Sequence, residues 1–369
     1  MSQFTTQLVS IIFDAQFNNF DDNYDFYRFG KSKRKSLSEK ISSKIGKILK
    51  KLRLYARRYL NRPNVYVLAQ WLDHLKDLEW IYAKLEDKDS KELLIQLIAY
   101  RIMGHQAIRL PLSNKKYWER LSYFDKIQKG ADSIDIGFMN WHLYLTDLNV
   151  INIPFKMYTN PSGLVMLELQ QYTCEKAGIV LGEGDVVMDC GGCYGDTALD
   201  FARQVGKSGF VYTFEFVASN LEFMVKNLDL NPNLKQCIEI VKNPLWSTSD
   251  LPVYLEGSGP ASRVSFNPIS KENYVEFKTV SIDDLVSRKR LSRVSLIKMD
   301  IEGAEFEVLK GAKETLLRFK PNLALSVYHR PEHFYQLAQF IDSLNLGYQF
   351  YLGHFTIHQE ETVLFARAN

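Results

Sequence analysis

Asp189, Gly191, Gly195 and Glu215 have the types and spacing of residues that hold a nucleotide-like cofactor, yet Cys190 and Cys193, threaded among them, form a C-x-x-C pair. The stretch "VVMDCGGCYGDT", residues 186–197, therefore raises two chemistries. A redox pair needs a thiolate with a lowered pKa, often at a helix N-terminus. A zinc site needs two further ligands, and Cys174 and Cys237 supply no second C-x-x-C. Neither gives Asp189, Glu215, Asn243 or Asp300 a task. Glycines at 191, 192 and 195, with the small Cys193 and with Tyr194, instead suit a tight strand-to-helix turn over which a ligand approaches the backbone. The dinucleotide pattern G-x-G-x-x-G is absent and no Walker lysine follows. The pattern is D-x-G-x-x-x-G, with Glu215 twenty positions after Gly195 at the end of the next strand, where an acid accepts hydrogen bonds from both ribose hydroxyls. A ribose-reading acid without a phosphate cradle favours S-adenosylmethionine over NAD or ATP. Asp189 would set negative charge beside its ammonium and sulfonium.

A second constellation is "HRPEH", His329 to His333, which matches the H-x-x-E-H of one metalloprotease class. Those histidines must share a helix face, whereas Pro331 stands between them and "LALSVY" before them reads as strand. His329 is therefore a strand-end residue. His354 and His358, evenly spaced in a closing hairpin, would share a strand face and could line an acceptor pocket, or simply sit on a surface hairpin. The aromatics of "FMNWHLYLTDL", residues 138–148, suit sugar stacking or core packing equally.

These residues need a scaffold, and the chain supplies one from about Gly182 onward. "DVVMD", "GFVYTFEF", "IEIVKN", "VSLIKMD" and "LALSVYH" read as strands ending at Asp189, near Glu215, and at Asn243, Asp300 and His329. "DTALDFARQV", "SNLEFMVKNLDL", "AEFEVLKGAKETLLRF" and "PEHFYQLAQFIDSL" read as the helices between them. "YQFYLGHFTIHQEETVLFA" reads as an antiparallel hairpin with no helix, and a Gly/Ser/Pro-rich insertion runs from Pro244 to Arg293. The fold class is α/β, a doubly wound sheet with one reversed strand at its C-terminal hairpin. Such sheets bind ligands outside their carboxyl strand ends, where the polar residues converge. Residues 1–150 form a mainly helical N-terminal domain and 151–369 the cofactor-binding domain. In the former, Asp89 and Ser90 are placed to start the helix of "DSKELLIQLIAYRIMGH" and Gly104 to end it.

The net charge of +3 hides an asymmetry. From Lys31 to Arg58 twelve Lys and Arg face the single acid Glu39, so the stretch is +11 and the rest about −8. Ile41, Ile45, Ile48, Leu52 and Tyr55 recur there at helical spacing, giving a basic amphipathic helix over 31–60. It either packs its stripe on its own domain or holds an anionic membrane surface, a glycan or a nucleic acid. Four cysteines are too few for a disulfide scaffold, the N-terminus has no basic region before its short apolar run, and no apolar run reaches about 20 residues. The expectation is a cytoplasmic protein, peripheral at most to the inner face of a membrane.

"VVMDCGGCYGDTALDFA", "FEF", "VSLIKMDIEGAEFEVLKGAKETLLRFKPNLALSVYH" and "EETVLFA" resemble the FkbM family of S-adenosylmethionine-dependent methyltransferases over roughly residues 165–367. The D-I-E-G-x-E stretch, Asp300 to Glu305, is the most specific part, and Phe216 departs from the family's usual proline after the acid. The helical region is similar to the extension of some bacterial members in glycan gene clusters. The resemblance implies a class I, Rossmann-like methyltransferase fold and O-methylation of a sugar or polyketide hydroxyl, with a sugar or glycan as acceptor. Its cofactor contacts fall on Asp189, Gly191, Gly192, Cys193, Tyr194, Gly195, Glu215, Phe216, Asn243 and Asp300, with Gln171 and Tyr172 placed to reach the methionine end. For the hydroxyl proton, His329 is the first base and Asp300 the second, with Glu302 or Glu305 orienting acceptor or histidine. Asp300 and Glu302 would also suit a divalent cation, but nothing completes a ligand set. Two other classes stay open. One is an idle cofactor-fold scaffold in a glycan-assembly complex. The other is a nucleic-acid methyltransferase, against which "NPLW" at Asn243 lacks the second proline and terminal aromatic of amino-methylating enzymes. A nucleic-acid partner is therefore not expected, and the helical domain is left to bind acceptor, form a homo-oligomer or meet a membrane.

Overall fold

The structure, a computed structural model, describes residues 1–16, 18–20, 22–30, 65–137, 141–257, 259–267 and 275–368. The basic segment 31–58 and its expected helix over 31–60 lie outside these residues, as do 138–140 of the aromatic stretch. No helix among the described residues is long and apolar enough to cross a membrane.

Two compact units emerge: residues 1–119 with 355–360, and residues 120–354 with 361–369. The division falls after Glu119 and not at 150. The reason is a small antiparallel sheet of Ser133–Asp135, His142–Asp147 and Lys156–Thr159. Its last strand is bonded into the α/β unit: the amides of Lys156 and Tyr158 donate to the side chains of Asn231 and Asn227 at 3.2 and 2.7 Å.

The helical unit holds Gln3–Ala15, Val65–Asp73, Leu75–Lys84 and Lys88–Met103. Leu94, Leu97, Ile98 and Ile102 bury one face of the last of these. Its N-cap is Asp87, whose carboxylate accepts from the Ser90 amide at 2.9 Å, so the cap sits two residues before the expected Asp89. Gly104 ends it at φ +81°, as expected.

The α/β unit is built on seven strands, here labelled in chain order: β1 Val186–Cys190, β2 Phe210–Phe214, β3 Ile238–Val241, β4 Leu296–Met299, β5 Asn322–Ser326, β6 Tyr348–His354 and β7 Thr362–Ala368. Their order is β6-β7-β5-β4-β1-β2-β3. All neighbours are parallel except β7, which is antiparallel to both β5 and β6. Val187, Met188, Leu296, Ile297, Leu323 and Leu325 are fully buried, as a sheet covered on both faces requires. The chain leaves β1 toward β2 and β3, then returns to β4 on the other side. The switch point therefore lies between β1 and β4.

Helices α1 Asp196–Val205, α2 Ala218–Asp229, α3 Ile282–Arg288, α4 Glu305–Lys310, α5 Lys313–Phe319 and α6 His333–Ser343 complete the unit's main helices. The single helix expected over 304–319 is two, broken at Gly311. A side chain there would meet the Trp246 carbonyl at 2.5 Å, so the insertion crosses the helix at its glycine. The insertion itself carries a three-stranded antiparallel sheet, Pro252–Glu256 between Arg263–Ser265 and Glu276–Lys278.

Candidate active site

A cleft opens at the carboxyl ends of β1, β2 and β4. Gly191, Cys193, Glu215, Phe216, Asn243 and Asp300 line it, together with Leu245, Pro260, Ser262 and Val264 from the insertion. Its lining mixes apolar walls with a few convergent polar groups, the make-up of a small-molecule site. The sequence brought out the first six residues and missed the last four, whose one signal was the Gly/Ser/Pro-rich composition of the insertion.

Glu215 is buried at the cleft wall. Its Oε1 accepts from the Phe216 and Val217 amides at 2.7 and 2.8 Å, and its Oε2 from Asn220 Nδ2 at 3.0 Å. These fix the carboxylate and use three of its roughly four lone-pair sites, which leaves room for one hydroxyl rather than the expected pair. Burial pushes its carboxyl up, against the pull of those donors. Phe216 sets its ring edge against Phe277, centroids 5.2 Å apart. Asn243 is tied to the Lys278 carbonyl at 2.9 Å, so strand and insertion hold it jointly.

The floor of the site differs from expectation. Asp189 is fully buried and is absent from the cleft lining. It accepts from Thr213 at 2.8 Å and Thr197 at 3.0 Å and pairs with Lys298 at 3.1 Å, so its charge is compensated within the protein instead of facing a ligand's cation. Gly191, at φ +87°, has no space for a side chain, because a Cβ would stand 1.9 Å from the Asp300 carbonyl. Gly192 is equally crowded by Thr213, and Gly195, at φ +82°, turns the chain into α1. Tyr194 points its ring at Phe223 of α2, and its carbonyl accepts from Asn227 at 2.9 Å. Gln171 is directed to Glu361 at 2.8 Å, away from the cleft. Glycines 192 and 195 with Asp189 and Tyr194 thus shape the loop, while 191 and 193 face the cleft. Burial raises both the Cys190 and Cys193 thiols well above the ordinary range, with nearby carboxylates adding to it, the reverse of what a redox pair requires. The cysteines fill the turn.

Behind the cleft wall stands a second network. Asp300 lines the cleft and accepts from the phenols of Tyr172 and Tyr328, each at 2.9 Å. Tyr172 therefore acts on Asp300 and does not itself line the cleft. Ile301 and Ala304 follow in the lining, and Glu302 and Gly303 between them adopt φ +55° and +99°, a tight turn that brings Glu305 back beneath Asp300. Glu305 is fully buried; its Oε1 accepts from the Ile301 amide at 3.0 Å and from His329 Nδ1 at 2.7 Å, and its Oε2 lies 3.2 Å from His333 Nδ1. The two histidines of the protease-like string converge on one carboxylate, from the segment after β5 and from the first turn of α6. They do not share a helix face. Burial alone would raise the Glu305 carboxyl; the imidazoles of His329 and His333 outweigh it and hold the group well below the usual range. Burial alone would lower His329, but Glu305, then Glu302 and Asp300, hold it well above the usual histidine value.

The position of His329 corrects the order of bases. Its Nε2 is buried and makes no hydrogen bond, with Asp300 Oδ1 at 3.5 Å and Glu302 Oε1 at 3.7 Å. Asp300 stands at the cleft and His329 behind it. Donor atoms of Asp300, Glu305 and His329 lie within 4.8 Å of one another, and the Glu305 member of that trio is already engaged by His329 Nδ1 at 2.7 Å. His354 pairs across the hairpin with Thr362 at 2.9 Å. His358 lies beyond the end of β6 in the helical unit, 4.9 Å from the Phe29 ring, so the two histidines share no strand face.

Residues 189–350 match the methyltransferase FkbM domain family. Among solved structures, the FkbM methyltransferase of Methylobacillus flagellatus KT superposes with a TM-score of 0.51 at 18% identity, over 81% of this chain and 60% of that one. The present chain thus spans well under two thirds of that relative. The fold it shares is the class I methyltransferase fold, whose strand order and reversed β7 are described above. A putative rRNA-methylase from Clostridium thermocellum has a TM-score of 0.36 at 12% identity, over 55% of this chain and 94% of that one. Fibrillarin from Aeropyrum pernix, solved with natively bound S-adenosyl-L-methionine, has a TM-score of 0.37 at 11% identity, over 62% and 90%. None of the curated proteins compared with the chain matches it. All the residues that line the cleft fall between 191 and 304, inside the matched segment.

Proposed function

We propose that the protein transfers the methyl group of S-adenosylmethionine to a hydroxyl of a sugar or glycan. The observation that carries this reading is that one residue, Asp300, belongs to both halves of the site: it lines the cleft and its Oδ1 stands 3.5 Å from His329 Nε2. Reaction geometry follows from that sharing, since an acceptor oxygen at Asp300 is also at the edge of the cleft.

The donor set suits the cofactor. Glu215 keeps about one acceptor site for a ribose hydroxyl, and Leu245, Pro260 and Val264 offer an apolar wall for an adenine ring. S-adenosylmethionine supplies an electrophilic methyl group and leaves as the neutral sulfide. The chain must hold the acceptor oxygen in line with that methyl and provide for its proton. Asp300 accepts the hydroxyl hydrogen bond at the cleft wall. His329, once neutral, receives the proton through Asp300, and Glu305 stabilises the resulting imidazolium, the arrangement by which a buried carboxylate supports a histidine base. Glu302, partly exposed beside them, is placed to orient the acceptor.

The test supplies methyl-labelled S-adenosylmethionine with a panel of nucleotide sugars and oligosaccharides. Label recovered as an alkali-stable methyl ether on a sugar supports the reading. Label recovered in nucleic acid or protein, or cofactor binding with no transfer to any acceptor class, contradicts it in favour of a nucleic-acid enzyme or an idle scaffold.

A further inference from the structure

Lys298 is the most deeply buried cation described in the α/β unit, 1% exposed in the central strand β4, and the reaction sketched above does not use it. It lies in register with Asp189 of β1, which lies in register with Thr213 of β2. Three polar side chains thus form one row across three adjacent strands of an otherwise apolar sheet interior. The ammonium is 3.1 Å from Asp189 Oδ1 and donates to the carbonyls of Gly191 at 2.6 Å and Cys190 at 3.3 Å. Those two carbonyls belong to the turn that enters the cleft. The ammonium also lies 5.1 Å from the centre of the Tyr172 ring, whose hydroxyl holds Asp300 at 2.9 Å.

An ion pair alone does not require this placement. A buried pair is often no more stabilising than an apolar pair of similar volume, so its presence calls for a role beyond stability. The contacts to Gly191 and Cys190 provide one. Gly191 has φ +87° and cannot carry a side chain; its amide and that of Gly192 donate to the Phe214 carbonyl at 3.2 and 2.9 Å, and the Cys190 carbonyl accepts from the Asp300 amide at 3.0 Å. The Gly191 carbonyl, by contrast, has the Lys298 ammonium as its donor, at 2.6 Å. The cation fixes it from beneath, and through Tyr172 the same cation reaches the carboxylate shared with the histidine network.

We propose that Lys298 is a positioning residue for the cofactor: its ammonium, laid under the turn at Cys190–Gly191 and against Tyr172, holds the turn and Asp300 in their binding geometry. The inference rests on the cofactor assignment made above. Its chemistry is that of a fixed cation organising two backbone carbonyls, a preorganisation that saves ordering when the ligand arrives.

The experiment compares S-adenosylmethionine affinity by calorimetry with melting temperature for the wild type, Lys298→Met, Lys298→Met/Asp189→Asn and Lys298→Gln. The single Met variant strands a buried carboxylate and is expected to lose stability and affinity together. The double variant removes that stranded charge, so its melting temperature recovers toward the wild type while its affinity stays at least about tenfold weaker, because the Gly191 carbonyl still lacks its donor. Lys298→Gln keeps a donor without the charge and binds between the two. A double variant that binds within about twofold of the wild type overturns the proposal, since Lys298 is then merely one half of a structural pair. Should both Met variants fail to fold, Lys298→Gln decides: unchanged affinity at lowered stability overturns the proposal, and weakened affinity at wild-type stability upholds it. A wild type that binds no S-adenosylmethionine removes the cofactor assignment instead, an outcome distinct from either.

Discussion

The two halves of the site each bury an ion network, and the two are built in opposite senses. At the β1–β4 register a cation, Lys298, is held by the Asp189 carboxylate, the Cys190 carbonyl at the end of β1 and the Gly191 carbonyl in the turn beyond it. Around Glu305 a carboxylate is held by two imidazoles, from the segment after β5 and the first turn of α6. In the first, nearby carboxylates keep the lysine above its ordinary value despite burial, so it stays charged throughout the working range. In the second, the partner is a histidine, the side chain whose charge changes nearest neutrality. The contrast separates a permanent frame under the cofactor from a titratable group behind the acceptor.

The sharpest way to break that contrast is to remove its fixed charge. Lys298→Met should destabilise the protein by about 3–5 kcal/mol in urea denaturation, as expected when a buried ion pair loses one member. A loss under 1 kcal/mol would show that Asp189 is readily accommodated without its cation. On the other side, His329→Gln should lower kcat by about 10² to 10⁴-fold while leaving S-adenosylmethionine affinity within about twofold. An equal loss in both would merge the two halves into one.

Acidity gives a finer test. Because His329 must be neutral to receive a proton and its folded value lies above the ordinary 6.5, kcat should rise with pH beyond neutrality, a limb that His329→Gln abolishes. The same groups set stability in opposite windows. Glu305, held below its ordinary 4.5, contributes fully above that value and loses its contribution as pH falls through the lowered one. His329 contributes fully below 6.5 and loses its share as pH rises through its raised value. The stability gap between wild type and Glu305→Gln, followed by urea denaturation from acid to alkaline pH, should therefore peak between these limits. A gap independent of pH would contradict the pairing. The smallest effect belongs to the frame's outer edge: Thr213→Val removes one hydrogen bond to Asp189 and should cost about 1.5–3 kcal/mol, measured the same way.

What could be read from the sequence follows the same division. The parallel strands announced themselves as apolar runs with polar ends, which located Glu215, Asn243 and Asp300 at one edge and the hairpin at the other. Asp189 looked like another strand-end acid, but a row of three polar side chains in register turns it inward, and register between β4, β1 and β2 is not visible in any one strand. Lys298 carried a signal that went unused, a charge inside the buried run "SLIKMD", where lysine is rarely found without a partner. The convergence of His329 and His333 on Glu305 depends on a left-handed turn at Glu302–Gly303 and on contacts between residues far apart in the chain, 24 positions for His329 and Glu305, tertiary facts that spacing alone does not show. Gly311, which divides one expected helix into two, answers to the backbone of the insertion and not to its own neighbours.

The most direct measurement is a calorimetric titration of S-adenosylmethionine into the wild type, Glu215→Ala and His329→Gln, with folding checked by circular dichroism. The account predicts binding by the wild type, its loss in Glu215→Ala, and near wild-type binding in His329→Gln. A folded wild type that binds nothing, or a His329→Gln variant as impaired as Glu215→Ala, would contradict it.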